Sequence, residues 1–290
     1  MRLRWILTPL LVLTSSAPAT AMSVRIAVAQ LNSAKEGDFA TMLAEARTAR
    51  AAGAQLIVFP EASDMGWLNP QTFYDAAPIP GVVTDQFAEI AKSTGIWVVA
   101  GVTERGSQIS LQPPTYEAYD SAVMIDPTGS IVLHHRQFNV VKNAFSTCPT
   151  GTPRCGYTPG SLTDTKVAKT PFGLVGLLVC DDAFTYDTAS LDALKQHRPT
   201  LVIVPWGITA GSEAECGKDG FNATSYAVQA AAYLKTAYVV GANATGQRTY
   251  GRFLPSWYCG MSGFAKPTGE VGGVANTQDE MGLFDVPIAP

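Results

Sequence analysis

Short apolar, β-branched runs alternate along this chain with stretches of helical period, and that alternation restricts it to an α/β sandwich in which strands pack between helices. Strands are expected at 24–31, 55–59, 96–104, 175–180, 200–205 and 237–242, and helices at 39–52, 83–94, 189–196 and 224–234. Two hairpins interrupt the alternation: 121–126 with 130–138 across Pro127-Thr128-Gly129, and a last one around Pro267-Thr268-Gly269. With 290 residues, 47% apolar and 15% charged, the chain can bury a large core, read here as one domain over 22–290. The formal charge of −4 and the lack of a Lys/Arg cluster exclude a nucleic-acid footprint.

Two of the apolar runs end in reactive groups. Gly176-Leu177-Leu178-Val179 leads into Cys180-Asp181-Asp182, and Leu56-Ile57-Val58-Phe59-Pro60 leads into Glu61. A thiol is a nucleophile once a base takes its proton, and sites in α/β enzymes collect at strand ends. Singly, each residue is more often bland: a cysteine as a small core residue, a glutamate after proline as a surface or capping group.

Residues 1–21 read as a leader peptide for export, secreted or periplasmic: Arg2 and Arg4, an apolar stretch from Trp5 to Thr14, and the small-residue exit Ala19-Thr20-Ala21. The apolar part is too short to span a bilayer, and no later segment supplies a stable membrane anchor. Of five cysteines, Cys180 is the nucleophile candidate and four remain for disulfides. Cys148–Cys155 brackets a Pro/Thr/Gly turn, and Cys216–Cys259 follows by elimination. The three histidines show no ligand spacing to the cysteines, so no metal is expected. Asn222-Ala223-Thr224 and Asn243-Ala244-Thr245 match the glycosylation sequon, the second at a depth that excludes modification.

Taken in order, Arg25-Ile26-Ala27-Val28-Ala29-Gln30, Val58-Phe59-Pro60-Glu61, Pro159-Gly160, Phe172-Gly173-x-Val175-Gly176, Cys180-x-Asp182 and Gly260-x-Ser262-Gly263 resemble the nitrilase, or carbon–nitrogen hydrolase, superfamily over residues 24 to 285. The flanks Thr170-Pro171-Phe172-Gly173 and Cys180-Asp181-Asp182-Ala183-Phe184 are most similar to its secreted vanin and biotinidase branch. The resemblance implies a four-layer αββα sandwich, frequently a homodimer, that needs no cofactor and hydrolyses an amide or a nitrile through a cysteine thioester, a small linear amide being favoured because the nearest branch is amidase-like. Glu61 would take the proton of Cys180 and return it to the departing amine; the backbone N–H near Asp181 and a lysine would hold the oxyanion.

That lysine is missing. Counting along Ser130-Ile131-Val132-Leu133-His134-His135-Arg136, its place falls at Gln137, which can donate a hydrogen bond but carries no charge. Lys142 is the first candidate to replace it and His135, on the face of Gln137, the second; Arg136 points the other way. No Asp or Glu occurs between Gln137 and Thr163, where the family often places another acid. Asp182 is expected to accept backbone hydrogen bonds beside the nucleophile. Trp206 and Asn243 end further strands, Trp206 either lining the pocket or filling the core. The sequence thus supports two readings, an exported amidase and a catalytically silent relative that keeps the pocket for binding.

Overall fold

The computed structural model describes residues 22–152, 155–220, 222–275 and 281–288; the expected leader at 1–21 lies outside them. The chain runs β1 (Met22–Ala29), α1 (Phe39–Ala51), β2 (Leu56–Val58), α2 (Thr72–Asp75), α3 (Val82–Thr94), β3 (Trp97–Leu111), β4 (Pro114–Ile125) and β5 (Ile131–Arg136). It continues through β6 (Val167–Thr170), β7 (Gly173–Leu177), α4 (Ala189–Lys195), β8 (Leu201–Ile203), β9 (Thr209–Ala210) and α5 (Ala223–Leu234). The last strands are β10 (Tyr238–Gly241), β11 (Thr245–Arg248), β12 (Ser256–Cys259), β13 (Gly263–Ala265), β14 (Val271–Val274) and β15 (Met281–Ile288).

One six-stranded sheet has the order β15-β1-β2-β3-β4-β5, a second β14-β13-β10-β8-β7-β6, and a small third β11-β12-β9. In β1 the side chains separate by period two: Val24, Ile26 and Val28 join a core shared with Val175, Val202 and Val240 of the second sheet, while Ala27 and Ala29 meet Met42 and Ala46 of α1 and Phe87 of α3. On the far side, Ala227, Ala230 and Ala231 of α5 belong to the core that contains β8 and β10. The result is helices, sheet, sheet, helices.

Local signals fix the helix ends. The Asp38 carboxylate accepts the Thr41 N–H at 3.0 Å ahead of α1, and the Asn222 side chain accepts the Ser225 N–H at 2.9 Å ahead of α5. Gly95, at φ +68°, closes α3 in the left-handed conformation. Both sequon asparagines are thereby committed: Asn222 caps and is buried, and Asn243 binds Ile208 and Gly260 from the interior.

The two expected cysteine pairs, Cys148–Cys155 and Cys216–Cys259, are joined, leaving Cys180 as the free thiol. Three features differ from the sequence expectation. β3 continues past residue 104 because it pairs with the first half of β4 in a hairpin whose outer part is partly exposed, so its alternation is weak. β15 pairs antiparallel with β1 from Met22↔Ile288 to Ala29↔Met281. Cys180 lies beyond its strand, in a 3-10 turn at Cys180–Ala183.

Parallel pairing of β1 with β2 and β2 with β3, and of β7, β8 and β10, aligns the strand ends that follow them. Gly101 of β3 packs directly under one of these ends. A methyl group there would lie 2.5 Å from Glu61 Cα and 2.6 Å from the Pro60 carbonyl oxygen. Because both obstacles are backbone, Gly101→Ala is expected to destabilise the protein by about 1–3 kcal/mol and to displace Glu61. Thermal denaturation together with the alkylation rate of Cys180 would register both effects, and an unchanged melting temperature would contradict the packing described.

Candidate active site

Cys180 is held in a conformation that its side chain disfavours. Its φ is +40°, in the region where a Cβ meets the carbonyl oxygen, at a cost of about 1–3 kcal/mol. The turn persists because its backbone is tied on both sides: the Cys180 N–H donates to the Pro205 carbonyl at 3.0 Å, and the Asp182 N–H to the Val179 carbonyl at 2.9 Å. Asp182 is fully buried and accepts the Asn139 N–H at 2.9 Å, the Phe138 N–H at 3.1 Å, the Ser190 hydroxyl at 2.8 Å, and His135 Nε2 at 2.7 Å. The sequence expectation for Asp182 is met by these contacts. They also commit His135 to Asp182.

Glu61 follows β2 after Pro60, and Ala62 beside it is itself left-handed at φ +47°. The Glu61 N–H donates to the Trp206 carbonyl at 3.3 Å, while the Gly101 N–H donates to the Pro60 carbonyl at 3.0 Å. Gly207 leaves room for the carboxyl group, since a Cβ there would collide with Glu61 Oε2. The carboxyl of Glu61 lies beside the Cys180 thiol, and the Gly207 N–H is on the thiol's other flank. Two residues more than a hundred positions apart thus meet, both buried.

The surroundings are rich in acid. The carboxyl of Glu61 also faces that of Asp120 on β4, which is fully buried. No N–H or hydroxyl group among the described residues donates to either carboxyl. Burial pushes Glu61 up to about 7, partly offset by the neighbouring Asp120 carboxyl and Cys180 thiol. Burial, reinforced by the Glu61 charge, also raises Asp120 and raises the Cys180 thiol, whereas the Gly207 N–H favours the thiolate. Asp181, beside the nucleophile, is raised to about 6 by burial and receives a hydrogen bond from Tyr186. Cys180 is therefore held as a neutral thiol with a buried carboxyl beside it.

Gln137 is buried beside the nucleophile strand, and its Nε2 donates to the Val179 carbonyl at 3.2 Å. Lys142 does not fold back toward the sulfur. Asp182 anchors Phe138 and Asn139, after which the chain leaves over the rim, where Lys142 is exposed and borders a cavity of about 570 Å³ with Asn139, Asp181 and Tyr186. Arg136 points away, as its strand position requires, pairing with Glu104 at 2.5 Å and lying over the Tyr119 ring. Trp206 belongs to the core: its ring is fully buried and stacks with Phe184 at 6.1 Å, while its carbonyl serves Glu61. Asn243 clamps Ile208, next to Gly207, to Gly260. Sequence reasoning missed Asp120 and Gly207; an acid within the otherwise apolar run Ser121-Ala122-Val123-Met124-Ile125 that it precedes was the available signal for the first.

A family model described as carbon-nitrogen hydrolase matches residues 25–290. A nitrilase of Pyrococcus abyssi is 26% identical over 243 residues, 81% of this chain and 77% of that protein. A deaminated glutathione amidase of Rattus norvegicus is 32% identical over 168 residues, 54% of this chain and 48% of that protein. Among solved structures, an amidase from a Nesterenkonia species superposes with a TM-score of 0.69 at 19% identity, covering 93% of this chain and 94% of the other, which establishes the shared fold.

The raised carboxyls make stability depend on pH in a definite direction. Glu36, raised to about 8 by burial and by the Asp64 charge, Asp64, raised to about 6 by burial, and Glu61 all bind protons more tightly folded than unfolded. Their contribution is full in mild acid and is lost as pH rises from about 4 to about 8. Glu104 opposes this only below about 4: burial alone would raise it, but His134 and Arg136 hold it at about 2. The melting temperature is expected to be higher at pH 5 than at pH 8, with Glu36→Gln flattening the upper part of the decline; calorimetry across that range showing the reverse slope would refute the assignment.

Proposed function

The chain belongs to the carbon–nitrogen hydrolase family, and on that premise we propose that it hydrolyses the C–N bond of a small linear amide through a thioester on Cys180. The observation that carries this reading is the free thiol on a strained turn, between the Glu61 carboxyl and the Gly207 N–H. Glu61 takes the thiol proton as sulfur attacks the amide carbon; the same acid protonates the departing amine, and water releases the carboxylic acid product. Lys142, at the rim, would meet polar groups of an entering substrate.

Gln137 stands at the position assigned to the family's lysine, and this departure supports a second reading. Its amide is engaged by Val179, and no ammonium group among the described residues bonds the thiol or its base. A protein so built could retain the pocket for binding alone. Export is the proposed location, supported by the leader at 1–21, and the flanks of Cys180 support kinship with the vanin and biotinidase branch. A homodimer is the proposed assembly on the same kinship.

Ammonia release from a panel of short amides separates the readings. Glu61→Gln is expected to lower kcat/KM by about 10²–10⁴ and Cys180→Ala to abolish turnover. Gln137→Lys should raise turnover about 10²-fold by restoring an oxyanion cation. Absence of release from both the native chain and Gln137→Lys would favour the binding role. Amino-terminal sequencing of the exported protein should begin at Met22.

A further inference from the structure

We propose that Asp120 and Glu61 share one proton, and that the neutral acid so formed, in place of a nearby cation, orients Glu61 toward the thiol of Cys180. The inference rests on the reading of Glu61 as the base for Cys180. Asp120 lies on β4 opposite Thr103 of β3, and its carbonyl accepts the Gln137 N–H at 2.8 Å, so the aspartate is the cross-strand neighbour of the position where the resemblance places a lysine. Its side chain is completely buried, and the carboxyl it meets is that of Glu61.

The other ionisable groups facing this pair are Cys180 beyond Glu61, Asp64 from the segment after β2, Asp181 and Asp182 from the turn at Cys180, Tyr157 and Tyr258, all acids, and one cation, Arg248, which lies within electrostatic range of Glu61 but gives its guanidinium N–H groups to the Tyr250 and Phe253 carbonyls. His135, the basic side chain next to Gln137 on the same face of β5, is bonded to Asp182. Two carboxylates in contact, with no cation bonded to either, cannot both ionise, and one proton held between them removes the conflict. The same proton makes Asp120 the hydrogen-bond donor to one Glu61 oxygen and leaves the other for the thiol. Burial then raises Glu61 less than it would without that donor. Asp120 is a positioning residue: through attack and amine release it keeps its share of the proton, while the thiol proton passes to Glu61 and on to the leaving amine.

Asp120→Asn preserves size and a donor but holds no titratable proton, whereas Asp120→Ala removes the donor. The readout is the rate of Cys180 alkylation by iodoacetamide in the full chain from pH 5 to 10, which requires no amide turnover. Asp120→Asn is expected to move the profile by about one pH unit or more, because the partner's charge and proton are gone. Asp120→Ala should slow alkylation at pH 7 at least tenfold. The infrared difference spectrum, native minus Asp120→Asn at pH 7, should contain a protonated-carboxyl carbonyl band. A superimposable pH profile, or a difference spectrum containing only carboxylate bands, overturns the proposal even if Asp120→Ala fails to fold. Failure of the amidase reading would appear instead as absent turnover with the profile shift and the carboxyl band intact.

Discussion

Two consecutive peptide carbonyls hold the reactive pair together. Pro205 accepts the Cys180 N–H and Trp206 accepts the Glu61 N–H, so a thiol from one sheet and a carboxyl from the other are referenced to the same dipeptide. The dipeptide is itself immobilised. The Trp206 N–H donates to the Ala242 carbonyl at 2.8 Å, and its ring is sealed in the core against Phe184. Gly241 permits this closeness, since any side chain there would strike the Val204 carbonyl and the indole. Positioning to the tolerance that chemistry demands follows from this shared backbone anchor more than from direct side-chain contact.

The chain treats buried carboxyls in two contrasting ways. Glu104 is surrounded by donors, Arg136, His134 and Ser121, and stays strongly acidic. Glu61 and Asp120 face each other and the thiol with no N–H or hydroxyl donor bonded to them among the described residues, and both are raised. The first arrangement is suited to stabilising a strand edge. The second leaves a proton poised to move near neutral pH, which is what a general base requires.

Much of this was legible in the sequence because the informative signals are local. Strand runs ending at Glu61 and Cys180 and the Pro-Thr-Gly hairpins each follow from period and turn chemistry within a few residues. The Cys148–Cys155 link followed from its short loop, and the place of Asp182 from its neighbourhood. What escaped was long-range. β15 shows its pairing only once β1 is laid beside it, and Lys142 was judged by spacing before the Asp182 anchor showed the chain leaving over the rim. Trp206 was ambiguous because one residue faces the core with its ring and the site with its carbonyl. Asp120, one residue ahead of the strand expected at 121–126, carries no local signal of its pairing with Glu61, which is distant in sequence.

The contacts of Asp182 have a mechanical meaning. One carboxylate grips the turn bearing the nucleophile, the start of α4 through Ser190, and the first two residues of the segment that forms the rim. Entrance and sulfur are thus levers on a common pivot: displacing the rim tugs the strained turn, and settling it restores the thiol's aim.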